Sequence, residues 1–168
     1  ITAAFEGAKW DCVINCAAWT AVDAAEDNIA EAFLANSQGP AWLARATRAA
    51  RIPLIHVSTD YVFPGDLDRP YTEEDSAYGA SKLAGEMAVR LGNPRSVVLR
   101  TAWVQSAHGN NFIKTMLRLA ETRPVLSVVD DQLGNPTVAE DIAQTLQTIA
   151  LRMIDDAEAP TGIYHFVN

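Results

Sequence analysis

The chain has 168 residues, 49% of them hydrophobic and 20% charged, enough length and apolar content for one globular core. Its net charge of -8 comes from 21 acidic against 13 basic residues, with no Lys/Arg run, which argues against a nucleic-acid surface. No apolar stretch reaches membrane-spanning length and no leader pattern opens the chain, so the sequence reads as cytoplasmic and away from the membrane.

Residues 1–10 have Ala-rich apolar spacing and read as the tail of a helix. With no initiator Met, the chain reads as a piece of a longer one. Asp11 precedes Cys12-Val13-Ile14-Asn15-Cys16-Ala17-Ala18, a continuous run of the kind found in strands covered on both faces. Cys12 and Cys16 would lie about 13 Å apart along that strand, too far to bond to each other. Their spacing fits no zinc pattern, and they read as two small buried hydrophobes. The run ends in Asn15, Ala17 and Ala18, followed by Trp19. Small residues at a strand's carboxyl end let a flat ligand approach the backbone, and open α/β sheets bind ligands along that edge. The alanines serve close helix packing equally well.

Residues 26–50 carry a helical pattern, with Ala32, Phe33, Ala35, Ala41, Trp42, Ala44 and Ala49 as its apolar stripe. Asn36 falls inside the stripe and needs partners, and Gly39-Pro40 marks a kink that frees a carbonyl. Residues 53–58 read as the next buried strand. His56 within it reads as a hydrogen-bonded strand histidine rather than a catalytic group. Thr59-Asp60-Tyr61-Val62-Phe63 leaves the strand, and a polar loop over 64–75 suits substrate contacts.

A helix is predicted over 77–91, stopped by Gly92-Asn93-Pro94. Tyr78 and Lys82 are four apart and share one face of it. An ammonium beside a phenol favours phenolate and draws its pKa from about 10 towards neutrality. Such a group can exchange a proton with a sugar or alcohol oxygen near pH 7. Thr59 could offer its hydroxyl to the same oxygen. Taken alone, a Tyr-x-x-x-Lys pair is more often mere helix surface. Gly79 early in the helix costs stability unless something must approach closely.

Residues 96–100 form another buried strand, ending in Thr101-Ala102-Trp103. A helix follows over 109–121 with Phe112, Met116, Leu117 and Ala120 inward. A strand is expected over 125–129 and a turn over 130–136. An amphipathic helix over 138–154 places Ala143, Leu146, Ile149 and Ala150 on one side, and a last short strand spans 162–167. This order predicts an α/β fold built as a doubly wound parallel sheet. No G-x-G-x-x-G turn occurs, so a dinucleotide-binding sheet would carry its phosphate loop upstream of Ile1.

Six stretches carry a resemblance when taken together. They are Asn15-Cys16-Ala17-Ala18-Trp19-Thr20-Ala21-Val22-Asp23, Val57-Ser58-Thr59-Asp60-Tyr61-Val62-Phe63, Tyr78-Gly79-Ala80-Ser81-Lys82-Leu83-Ala84-Gly85-Glu86, Arg100-Thr101-Ala102-Trp103-Val104, Gly109-Asn110-Asn111-Phe112 and Asp131-Gln132-Leu133-Gly134-Asn135-Pro136-Thr137. In order and spacing the chain resembles the extended short-chain dehydrogenase/reductase superfamily, and within it the dTDP-4-dehydrorhamnose reductases. The resemblance covers essentially the whole chain. It implies a Rossmann-like NAD(P)-binding fold. Residues 1–168 would be its central part, with the glycine-rich first unit and the C-terminal substrate region outside.

The implied activity is NADPH- or NADH-dependent reduction of the C4 keto group of dTDP-4-dehydro-L-rhamnose. Tyr78 would be the proton donor, Lys82 would lower its pKa and hold the nicotinamide ribose, and Thr59 would hydrogen-bond the reacting oxygen. Asn15, Ala17, Ala18 and Trp19 would border the cofactor. Asp60 and Trp103, with Thr59, would contact the nucleotide-sugar substrate. Asn36 would support Lys82 through water. Family members are often homodimers, some with a bridging Mg2+, and no residue here decides either. The sequence departs from the family between Asp75 and Tyr78, where only Ser76-Ala77 stand in place of several more residues. The other readings are a nucleotide-sugar epimerase or dehydratase of the same superfamily, and a non-catalytic regulatory subunit on the same fold. Intact Thr59, Tyr78 and Lys82 argue against the second.

Overall fold

Four parallel strands carry the site, and the alternation of their side chains decides where the helices lie. The computed structural model describes residues 1–7, 9–63, 76–130 and 132–168. In chain order the elements are α1 (Thr2–Phe5), β1 (Val13–Asn15), α2 (Val22–Asp27), α3 (Ile29–Phe33), a π-helical turn (Leu34–Gln38), α4 (Gly39–Ala50) and β2 (Leu54–Thr59). A 3-10 turn (Asp60–Val62) follows, then α5 (Ala77–Gly92), β3 (Ser96–Thr101), β4 (Val104–Gln105), α6 (Phe112–Ala120), β5 (Thr137–Val138), α7 (Ala139–Asp155) and β6 (Gly162–His165). The main sheet has the order β1-β2-β3-β6, and every pairing in it is parallel. A separate two-stranded ladder joins β4 to β5.

The two central strands are almost wholly buried, as their continuous apolar runs require. Ile55, Val97 and Leu99 pack on one face against Ile142, Leu146, Ala150 and Met153 of α7. Leu54 and Val98 point to the other face, against Ala44 of α4 and Val89 of α5. Helices therefore cover both faces, and the sheet is the doubly wound one expected from the sequence. In register, Asn15 lies beside His56 and Thr59 beside Thr101. The residues expected to form a site thus meet at the carboxyl ends of neighbouring strands.

The helical pattern of 26–50 is not one helix. Asn28, outside helical geometry, divides α2 from α3, and the π turn divides α3 from α4. The expected kink is this turn. Pro40 has no N–H to give back to the carbonyl of Asn36, one turn earlier. That carbonyl instead faces Gly85 of α5, where a Cβ would overlap it. The turn also shifts the helical phase. Ala32 and Ala44 are buried, but Trp42 and Ala49, which a single helix would place inward, are exposed.

Four other expectations fail. Residues 125–129 form no strand, and Val125, Val128 and Val129 are exposed, because an apolar run supplies side chains but no hydrogen-bonding neighbour. In α6, Phe112, Leu117 and Ala120 are exposed, and no residue of the helix is buried against the described residues. Ala143 of α7 is exposed, because it is Ile142, four residues before Leu146, that shares the buried face with Leu146, Ala150 and Met153. Cys16 lies exposed beyond the short β1 rather than inside a buried strand; Cys12 is half-buried, and both are free thiols. Among the described residues, no helix is long and apolar enough to cross a membrane.

Candidate active site

Thr59 ends β2 and opens the 3-10 turn. Its hydroxyl accepts from the Tyr61 N–H at 3.1 Å and donates to Asp60 Oδ1 at 3.1 Å. The polar loop expected over 64–75 lies outside the described residues. The chain re-enters at Ser76, whose Oγ caps α5 by accepting from the Gly79 N–H at 2.9 Å, while Glu26 accepts from the Ala77 N–H at 2.8 Å. Gly79 has the close approach that justifies it, since a Cβ there would overlap the Tyr61 carbonyl. Tyr78 therefore sits in the first turn of α5, buried, with its ring edge-on to Tyr61 at 5.8 Å between centroids. The Thr59 hydroxyl lies near enough to its phenol to ease loss of the proton.

The expected lowering of the Tyr78 pKa is not found. Burial pushes the phenol above its ordinary value, the Thr59 hydroxyl opposes this, and Asp60 and Tyr61 add to the rise. The Lys82 ammonium, one turn further along, donates at 2.9 Å to the carbonyl of Val57 in β2. Lys82 is itself buried, and burial lowers its pKa to about 8, with Glu86 and Cys16 pulling the other way. Burial also raises the Asp60 carboxyl, against its bond from Thr59.

Glu86, one turn beyond Lys82, is buried and receives Arg100 at the end of β3. Nε of Arg100 donates to Oε1 at 3.0 Å and to Oε2 at 3.2 Å, and Nη2 to Oε2 at 2.7 Å. The guanidinium also lies 4.8 Å above the Phe63 ring, which stacks on His165 of β6. This chain of contacts fastens α5 to β3 and β6 two turns along the helix from the candidate acid. Sequence reasoning missed it. Its only signal was a carboxylate four residues after Lys82 together with an arginine at a strand end.

Two buried amides shape the β1 edge. Asn36, wholly buried in the π turn, accepts the Trp19 N–H at 2.8 Å and donates to the Trp19 carbonyl at 3.1 Å and to Ser81 Oγ at 3.0 Å. It thereby clips the segment after β1 to α5, next to Lys82. Asn15 donates to Nδ1 of His56 at 2.9 Å and accepts the Ala17 N–H at 3.2 Å. His56 is the buried, hydrogen-bonded strand histidine expected, and burial lowers its pKa to about 3. Asn15 thus spends its amide inside the protein and fixes the course of Ala17 and Ala18. Trp103 is partly exposed beyond β3, two residues past Thr101.

Together the structure brings Thr59, Asp60, Tyr78 and Lys82 to one place at the sheet's carboxyl edge, with the β1 segment on one side and Trp103 past the next strand. A buried, protonated phenol beside a hydroxyl can deliver a proton to an oxygen gaining negative charge. Among the described residues, no cluster of three or more His, Cys, Asp or Glu side chains could hold a metal ion.

Comparison with known proteins shows the family and the fold. The family described as RmlD substrate binding domain matches residues 1–168. The chain is 48% identical over 171 residues to a dTDP-4-dehydrorhamnose reductase of Sinorhizobium fredii, covering 98% of this chain and 58% of that protein. It is 48% identical over 168 residues to one of Mycobacterium tuberculosis, covering 94% of this chain and 54% of the other. A crystal structure of a dTDP-4-dehydrorhamnose reductase from Bacillus anthracis in complex with NADP superposes with a TM-score of 0.88 at 34% identity, over 99% of this chain and 59% of that one. The chain thus spans little more than half the length of these relatives.

Proposed function

The chain belongs to the dTDP-4-dehydrorhamnose reductase family, and from that premise we propose that the protein reduces the C4 keto group of dTDP-4-dehydro-L-rhamnose, giving dTDP-L-rhamnose, with NADPH or NADH. The observation that carries this reading is the meeting of Tyr78, Thr59 and Lys82 at the carboxyl edge of β2. The NADP complex of the Bacillus anthracis relative favours NADPH.

The residues present suit a nicotinamide cofactor. Ala17 and Ala18 offer a backbone edge with little side chain in the way, held by Asn15 and Asn36. Lys82 has three N–H donors and gives one to Val57, which suits it to a ribose hydroxyl. When bound, the reduced nicotinamide supplies the hydride to C4. Tyr78 supplies the proton. Its raised pKa keeps the phenol protonated at neutral pH, so it can donate as the C4 oxygen gains charge. Thr59 steadies the same oxygen by turning its one hydroxyl proton from Asp60 towards it. Lys82, one turn along the same helix, brings a positive charge to the site below about pH 8. Asp60 and Trp103 border the sugar.

The test is NADPH absorbance in the complete protein. Oxidation that depends on dTDP-4-dehydro-L-rhamnose is expected. Its absence with folded protein overturns the reading, and so separates a reductase from an epimerase, a dehydratase or a regulatory subunit, none of which consumes NADPH on this sugar.

A further inference from the structure

Trp103 has a φ of 42°, in the left-handed region that a bulky residue occupies only when its surroundings hold it there. Two contacts hold it. Its carbonyl accepts the Thr137 N–H at 3.1 Å, which seeds the ladder pairing Val104 with Thr137 and Gln105 with Val138. Gly134 lies flat against the indole, where a Cβ would stand 2.6 Å from Cε2 and 2.9 Å from Cζ2 and Nε1.

The backbone behind the ring is itself tied down. Thr137 is wholly buried, and its hydroxyl donates to the Asn135 carbonyl at 3.2 Å. Asn168 accepts the Val138 N–H at 2.7 Å and donates to the Asp141 carboxylate at 2.8 Å. A side chain at position 134 would therefore displace the indole rather than the loop. Trp103 follows Thr101, the register neighbour of Thr59, so the displaced ring would move at the same sheet edge that carries Thr59 and Tyr78.

We propose that Gly134 is a specificity-determining residue: lacking a side chain, it seats the Trp103 indole back against its loop and so sets the width left for the nucleotide sugar. The substrate in this statement rests on the reductase reading above; the seating of the ring does not.

Three variants of the complete protein test it: Gly134→Ala, Trp103→Phe and the double variant. Gly134→Ala should raise KM for the nucleotide sugar about tenfold, the scale of one disturbed pocket contact, with KM for NADPH unmoved. In the Trp103→Phe background, the same change should add little. Equal effects in both backgrounds, or an unchanged sugar KM in Gly134→Ala, overturn the proposal. If Gly134→Ala folds only together with Trp103→Phe, the contact stands, and a further KM shift between Trp103→Phe and the double variant overturns the rest. Indole emission, taken as the difference between the parent and Trp103→Phe, should shift to longer wavelength in Gly134→Ala. An unmoved difference spectrum rejects the seating whether or not the protein proves to be a reductase.

Discussion

The Arg100 guanidinium grips the Glu86 carboxylate through three hydrogen bonds of 2.7–3.2 Å, with both side chains almost wholly out of water. A pair so placed is asymmetric. Desolvating two charges is costly, yet leaving one without the other costs more. Glu86→Gln or Arg100→Met alone should destabilise the protein by about 3–5 kcal/mol in urea unfolding. Glu86→Met with Arg100→Met should cost much less than either single change. A double variant as weak as the sum of the singles would show no coupling between the two side chains and would reject this account.

Tyr78→Phe keeps the ring packed against Tyr61 and removes one hydroxyl. Turnover in the complete protein should fall by about two to four orders of magnitude, the usual range for a lost general acid. Stability should change by no more than about 1.5 kcal/mol, the net value of one hydrogen bond. NADPH oxidation close to that of the parent would end the assignment of Tyr78.

Lys82 is charged below about pH 8 and neutral above it. If its ammonium is needed, kcat/KM should fall as pH rises through about 8. Lys82→Ala should lose most activity, bind NADPH more weakly in a direct titration, and show no such fall. Unchanged cofactor affinity in Lys82→Ala would rule out the ribose contact.

His56 has its folded pKa lowered to about 3, against 6.5 for the free group. Between those values the unfolded chain takes up a proton that the folded one refuses, so stability falls as pH drops below 6.5. The loss attributable to His56 should reach about 2 kcal/mol at pH 5. His56→Asn keeps an acceptor for Asn15 but cannot take up the proton. Urea midpoints of the two proteins between pH 7 and 5 should diverge in slope, and parallel slopes would discard this account.

How far the sequence carries the reader depends on what each feature needs. Unbroken apolar runs needed no partner to be recognised, and β2 and β3 are where they were expected. Tyr78 and Lys82 share a helix face by spacing alone. The direction of the Tyr78 pKa needed burial, which spacing does not contain, and Asp60 and Tyr61 add to what burial does while the Thr59 hydroxyl opposes it. Residues 125–129 have strand composition, but pairing is a property of two segments, and no described strand lies beside them. Glu86 and Arg100 are fourteen residues apart and belong to different elements, so only the fold brings them together. Gly134 looked like turn chemistry until the indole was seen lying on it.

The π turn at Leu34–Gln38 has a consequence for how this segment can vary. It holds one more residue than an α-helical turn and absorbs that residue locally. Deleting a single residue there would close the wide turn and leave α3 and α4 in their present orientation, with Ala44 and Thr47 still buried. What would be lost is the seat of Asn36, whose carbonyl lies over Gly85 and whose amide joins Trp19 to Ser81. The extra residue serves that joint with α5, and Asn36 is the side chain of the turn that it holds in place.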